Sequence, residues 1–300
     1  MVDHLAEETI KLETATGTIV GTLALPAGQG PFTVALVIAG SGPTDRNGNS
    51  PLLAAPNNSL KYLAEGLTAK GIATVRYDKR GVGESVSAAR SEAELRFDHY
   101  VDDAADWVRL LRKDRRFGRA AIVGHSEGAL IGMLAAEASR ADAMVSIAGA
   151  GRPAHQALRD QIGPRLPPDL MKESDRIIDL ILAGKTTDSV PAALMALYRP
   201  SVQPYLVSYF KQDPARIIGR LTMPVLIAQG TTDIQIAESE ARLLAKAQPT
   251  AKLLIIEGMN HLLKRVSGDL AAQTPSYSDP KLPVVPEVID GIAGFLLDLR

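Results

Sequence analysis

The chain has 300 residues, 46% of them hydrophobic and 22% charged, which is enough for one large domain with a full core and ordinary for a globular enzyme. The formal net charge is −1, which excludes a basic field able to hold nucleic acid or anionic lipid. With no cysteine there are no disulfides, no thiolate metal sites and no cysteine nucleophile.

No apolar run approaches the length of a membrane span. The first residues, Met1 to Glu8, are acidic and lack the apolar stretch of a signal peptide, so the expected location is cytoplasmic. Thr9 to Leu25 holds two short strand patterns about Thr16-Gly17, a predicted hairpin. Val34 to Ala39 is a continuous apolar run, expected of a strand buried on both faces. It opens into a polar loop from Gly40 to Asn49. Asn58 to Lys70 has helical periodicity, with Gly71 as its stop. Ile72 to Tyr77 is another strand, leading into Asp78 to Ser85. Tyr100 to Leu111 reads as a helix, Ala120 to His125 as a strand, Ser126 to Ser139 as a helix, and Ala143 to Ala148 as a strand.

This alternation predicts an α/β protein with a mostly parallel central sheet flanked by helices. From Arg152 to Gly219 the alternation stops, and prolines cut the chain into short helical pieces. Asp169 to Ala183 is the clearest, and Ser201 and Asp213 read as N-caps of two more. The expectation is a core domain from residues 1–151 and 220–300, with residues 152–219 inserted as a helical lid. Tyr205 and Tyr209 are candidates for its pocket-facing residues. Val225 to Ala228 and Leu253 to Ile256 are the last strands, with a helix at Glu238 to Ala247 between them. A polar loop over Val266 to Val285 and a helix over Pro286 to Leu299 complete the chain.

The chemistry centres on Gly124-His125-Ser126-Glu127-Gly128. An apolar strand precedes it and a helix follows, so Ser126 sits on a sharp strand-to-helix turn with its hydroxyl exposed. The glycines allow strand and helix to approach where a Cβ would clash. A serine hydroxyl needs a base, and the base needs a group that holds its tautomer. Of five histidines, His4 lies in the tail, His99 opens a helix, His125 points away from Ser126, and His155 falls in the inserted segment. His261 follows the last strand, on the sheet edge that carries Ser126, and is the predicted base. Asp233 follows the preceding strand and is the predicted acid. Asp78 precedes the serine in a different pattern, and Glu257 is the fallback. The oxyanion donors are expected to be the backbone N–H groups of Glu127 and Ser41. The loop from Gly40 to Gly48 lacks the spacing of a phosphate-binding loop.

Together these residues resemble the α/β-hydrolase family over essentially the whole chain. Gly-His-Ser-Glu-Gly, Gly-Thr-Thr-Asp and Asn260-His261 match its three catalytic positions, in the order serine, acid, histidine. Asp78-Lys79-Arg80-Gly81-Val82-Gly83-Glu84-Ser85 is similar to the family's Asp-x-Arg-Gly-x-Gly-x-Ser turn, in which Asp78 and Arg80 would fix neighbouring loops. Ala39 to Gly48 resembles a bacterial carboxylesterase branch related to serine aminopeptidase-like hydrolases. One departure is Ala39-Gly40, where the common pattern is His-Gly. Relatives with an aspartate nucleophile are excluded by Ser126. The resemblance implies a serine esterase acting on small to medium carboxylic esters, needing no cofactor or metal. Two alternatives stay open: a peptidase that trims small N-terminal residues, and a silent binding protein on the same fold.

Overall fold

The computed structural model describes residues 6–299, so the tail residue His4 lies outside it. Strands β1 (Ala6–Thr14) and β2 (Gly17–Leu25) form the expected hairpin. They are followed by β3 (Phe32–Ile38), helix α1 (Ser59–Ala69), β4 (Ala73–Tyr77), α2 (Phe97–Lys113), β5 (Phe117–His125), α3 (Glu127–Ser139) and β6 (Ala143–Ile147). After five further helices come β7 (Val225–Gly230), α9 (Glu238–Ala247), β8 (Lys252–Ile256), α10 (Leu270–Ser276) and α11 (Pro286–Leu297). The sheet order is β1-β2-β4-β3-β5-β6-β7-β8. Among these, β2 is antiparallel to β1 and β4, and every other neighbouring pair is parallel.

Alternation of side chains along each strand divides the core in two. On β3, Val34, Leu36 and Ile38 face a cluster built with α2, α3 and α9, including Trp107, Val108, Ile131 and Leu244. Ala35, Val37 and Ala39 face the opposite cluster, built with Leu60, Leu63 and Leu67 of α1 and Val288, Ile292 and Leu296 of α11. A strand buried on both faces cannot show a period of two, which is why these segments read as unbroken apolar runs. Because β3 to β8 run parallel, their carboxyl ends share one edge. The loops starting at Ala39, Asp78, Ser126, Ala148, Thr231 and Glu257 all emerge there.

The five helices between β6 and β7 are α4 (Ala154–Ile162), α5 (Pro168–Leu182), α6 (Met195–Tyr198), α7 (Gln203–Phe210) and α8 (Pro214–Ile218). They are anchored to α2 by stacking of Phe97 on Tyr209, with ring centroids 4.8 Å apart, and by Phe97 N–H donating to Ser208 Oγ at 2.8 Å. Arg199 Nε donates to Glu92 at 2.8 Å, and Ser201 Oγ donates to the same carboxylate. Ser201 therefore tethers this segment rather than capping α7, whose N-cap position is Val202. Asp213 does cap α8, accepting from Arg216 N–H at 3.2 Å ahead of Pro214. Two further boundaries differ from expectation. Helix α2 starts at Phe97, where the side chain is fully buried against α7. The expected loop over 266–285 contains α10, capped by Asp269 on Ala272 N–H at 2.8 Å. No described helix is long and apolar enough to cross a membrane.

Gly128 sets how closely α3 sits under β3. A Cβ there would lie 2.4 Å from the Ile38 carbonyl oxygen and 2.6 Å from that of Ala39. Both are backbone atoms with no room to yield. Gly128→Ala should destabilise by about 2 kcal/mol or more, lowering Tm by roughly 4 °C or more in thermal unfolding. Gly163→Ala is the control. Nothing lies within 4 Å of its added Cβ and its backbone is helical, φ −51° and ψ −46°. Its Tm should hold or rise slightly.

Candidate active site

Ser126 occupies the turn between β5 and α3 with φ 56° and ψ −121°, a strained conformation for a residue with a Cβ. Two glycines make the turn sterically possible. A Cβ on Gly124 would lie 2.1 Å from the Gly128 carbonyl oxygen, and Gly128 is hemmed in by β3. Ser126 N–H donates to the Ile147 carbonyl at 2.9 Å, tying the turn to β6. The side chain is left partly exposed at the carboxyl edge.

Asp233 and His261 meet although 28 residues separate them. Their loops are forced together by Gly230, where a Cβ would lie 1.9 Å from the Met259 carbonyl oxygen. Thr231 N–H donates to Ile256 O at 3.1 Å, and Thr232 N–H to Met259 O at 3.2 Å. His261 Nδ1 then lies 2.8 Å from Asp233 Oδ2. A carboxylate only accepts, so Nδ1 carries the proton and Nε2 of the neutral ring is left as a base. Asp233 Oδ1 also accepts from the N–H groups of Gln235 at 2.8 Å and Ile236 at 2.9 Å. Burial by itself would raise the Asp233 carboxyl. Electrostatic attraction to His261 and hydrogen bonding from its Nδ1–H and the two N–H groups outweigh it and hold the carboxyl below its ordinary range.

The sheet edge therefore gathers all three predicted side chains. Ser126 and His261 line a common cavity of about 230 Å³ with Gly40, Ser41, His125 and Tyr277. No hydrogen bond joins the Ser126 hydroxyl to His261; both residues line this cavity. Ser41 and Glu127 stand next to Ser126, and a Cβ on Gly40 would lie 3.2 Å from Ser126 Cβ. Neither Ser41 N–H nor Glu127 N–H donates to another group among the described residues. Ser126, Ser41 and Glu127 also line a larger cavity of about 660 Å³. Its wall includes Leu130, Tyr205, Leu206, Tyr209 and Phe210, so both tyrosines singled out from the sequence face it. Burial raises both phenols well above their usual range, so they stay neutral. The two carboxylates in that wall are already paired, Glu92 with Arg199 and Glu127 with Lys79.

Three supporting residues escaped the sequence reading. His125 points away from Ser126, as expected, but its ring lies against that of His261, with centroids 4.8 Å apart. Its Nε2 is 2.8 Å from the His261 carbonyl, which can only accept, so Nε2 carries the hydrogen. Burial, and then the neighbouring His261, press its pKa down to about 3, so it remains neutral. Gln273 of α10 bridges the two loops. Its Nε2 donates to Thr232 O at 2.9 Å, and its Oε1 accepts from Asn260 Nδ2 at 3.1 Å. Lys79 is buried between Gly40 and Glu127. A Gly-x-Ser-x-Gly pattern flags His125 only as a neighbour, and nothing in the local pattern flags Gln273. Among the described residues no group of three or more His, Cys, Asp or Glu is placed to hold a metal ion.

A family model described as serine aminopeptidase, S33, matches residues 57–265. The chain belongs to this α/β-hydrolase family. The match takes in Ser126, Asp233 and His261 and begins beyond Ser41. Esterase EstD of Thermotoga maritima is 30% identical over 280 residues, an alignment covering 92% of this chain and 65% of that protein. The chain thus spans about two thirds of the length of that relative. The structure of Est1E from Butyrivibrio proteoclasticus with bound ferulic acid is similar at a TM-score of 0.66 and 18% identity, over 97% of this chain and 98% of that one. A malate-bound thermophilic esterase from Thermogutta terrifontis is similar at a TM-score of 0.58 and 18% identity, over 97% and 99%. At such identities the likeness is one of fold, and it covers 97% of this chain in both cases.

The depressed Asp233 pKa carries a stability prediction. A carboxyl with a lowered folded pKa contributes stability that is complete above its unfolded value and lost as pH falls through the folded one. Asp233→Asn removes that contribution. Urea unfolding from pH 6 down to pH 2.5 should show wild type losing stability faster than the variant below about pH 4. Parallel curves would mean that Asp233 is not held ionised by His261.

Proposed function

We propose that the chain is a serine carboxylesterase, with Ser126 as nucleophile, His261 as general base and acid, and Asp233 as its orienting partner. The observation that carries this reading is the buried 2.8 Å bond from His261 Nδ1 to Asp233, with His261 lining the same cavity as a serine on a strained turn. Ser126 Oγ attacks the ester carbonyl while His261 Nε2 takes its proton. The carbonyl oxygen becomes an oxyanion beside the N–H groups of Ser41 and Glu127. His261 returns the proton to the leaving alcohol, and water then hydrolyses the acyl-enzyme by the same relay.

The proton must be delivered to the alcohol from His261, so the smaller cavity, which His261 lines, is the place for the leaving group. The larger cavity, with its tyrosines, phenylalanine and leucines, is the place for the acyl group. Residues 152–219 act in this reading as a lid inserted into a core of residues 1–151 and 220–300, supplying one wall of the acyl cavity. Both carboxylates in the larger cavity are paired, which leaves no anion to receive a substrate ammonium and favours neutral esters over N-terminal peptide substrates. The name of the relative EstD and those of the fold neighbours agree with ester hydrolysis.

Turnover of p-nitrophenyl acetate and butyrate by wild type and Ser126→Ala tests the reading. The variant should lose about 10⁴-fold or more in kcat. Equal rates would refute it. Aminoacyl-nitroanilide turnover exceeding ester turnover would replace the esterase with a peptidase.

A further inference from the structure

Lys79 follows β4 in the Asp-Lys-Arg-Gly turn, with a side chain only 1% exposed. Its neighbours in that turn have visible work. Asp78 accepts from Arg46 N–H at 2.8 Å and Glu84 N–H at 2.9 Å, joining the 40–49 loop to the 78–85 loop. Arg80 Nε donates to Asp103 of α2 at 3.0 Å. Lys79 instead turns toward Ser126. Its Nζ donates to the Gly40 carbonyl at 2.5 Å, lies 3.3 Å from Glu127 Oε1, and sits 4.9 Å from the centre of the Tyr100 ring.

The Gly40 carbonyl belongs to the same planar unit as the Ser41 N–H. That peptide is trans, so the two groups point in opposite directions. A cation fixed on the oxygen therefore fixes the direction of the N–H on the other side. It also polarises the peptide, which makes the N–H a stronger donor. The second partner of Lys79 is the side chain of Glu127, whose own N–H is the other free donor beside Ser126. One ammonium thus bonds the Ser41 peptide directly and, through the Glu127 side-chain carboxylate, the residue that carries the other N–H. A glutamate directly after the nucleophile then has a use beyond its backbone: it balances the buried cation and keeps it in place.

Building on the reading of Ser126 as nucleophile, we infer that Lys79 is a positioning residue that aligns the Ser41 and Glu127 N–H groups as an oxyanion hole. The residue acts through the two peptides and does not touch the substrate. Its loss should weaken stabilisation of the tetrahedral oxyanion and leave ground-state binding nearly intact.

The test compares wild type, Lys79→Met and the double variant Lys79→Met/Glu127→Gln, which avoids stranding a buried carboxylate. Each is assayed on a p-nitrophenyl ester and on its thiono analogue, in which sulfur replaces the carbonyl oxygen. Sulfur is larger and a poor hydrogen-bond acceptor, so an aligned oxyanion hole discriminates strongly against it. Both variants should lose about ten- to a hundredfold in kcat, part of the roughly hundred- to thousandfold value of a whole donor, with KM within about threefold. The oxo-to-thiono rate ratio should fall about tenfold or more. If Lys79→Met does not fold, the double variant, checked by its Tm, carries the measurement. A folded variant with wild-type kcat overturns the inference, as does one that loses kcat with an unchanged ratio, which would mark general loosening. Absence of Ser126-dependent turnover in wild type would instead defeat the esterase reading, and the inference would fall with it.

Discussion

The site depends on one buried contact, the hydrogen bond between His261 and Asp233. The two loops that carry these residues leave different strands, and neither loop has a reason of its own to hold a charged group out of water. The chain holds them there with backbone. Gly230 lets the end of β7 touch the backbone at Met259, and Thr231 and Thr232 lace the loops together. With Oδ1 satisfied by two N–H groups and Oδ2 by the imidazole, the carboxylate is fully solvated by protein. That is the condition under which a buried anion is tolerable and can fix a ring's tautomer. His125 and Gln273 extend the same principle outward, each satisfying polar groups of the loops that the pair joins.

Much of this was legible in the sequence because the relevant signals are local. Apolar runs alternating with amphipathic helices dictate a parallel sheet, and a parallel sheet puts all its strand ends on one edge. Ser126, Asp233 and His261 each stand just after a strand, so topology alone was enough to bring them to the same region. The capping signal at Asp213 was read correctly because Pro214 follows it. Ser201 was misread because a serine ahead of a helix looks the same whether it bonds an N–H of that helix or a distant carboxylate. Helix α10 was missed because it has seven residues, contains Pro275 and exposes Leu270, so its pattern carries no apolar stripe. Gln273 was lost with it. The roles of His125 and Lys79 were invisible for another reason: each contacts a residue distant in sequence, and only the folded edge brings the partners near.

If residues 152–219 act as the proposed lid, they and the rest of the chain divide the labour between them. In the proposed reading residues 1–151 and 220–300 supply the nucleophile, the base and two free N–H groups, held by the turn at Ser126 and by the Asp233–His261 bond. Residues 152–219 supply Tyr205, Leu206, Tyr209 and Phe210 to the larger cavity, all four on α7. The attachment of this segment combines the Phe97–Tyr209 stack, the Phe97–Ser208 bond and the Glu92–Arg199 pair with apolar packing, since Ile178, Leu194, Tyr205 and Phe210 belong to the same hydrophobic cluster as Trp107 and Ile131. The buried tyrosines remain neutral and the cavity carboxylates remain paired, so selection there acts through shape and dispersion more than through charge.

The most direct measurement of the central claim is a crystal structure of the protein after reaction with an alkyl fluorophosphonate. The account predicts one covalent adduct on Ser126 Oγ. Its phosphonyl oxygen should lie within about 3.1 Å of both the Ser41 and Glu127 nitrogens, with His261 Nε2 turned toward the adduct and Nδ1 still on Asp233. An adduct on any other residue would contradict the account. So would an adduct on Ser126 whose oxygen points away from both N–H groups while His261 stands apart from it.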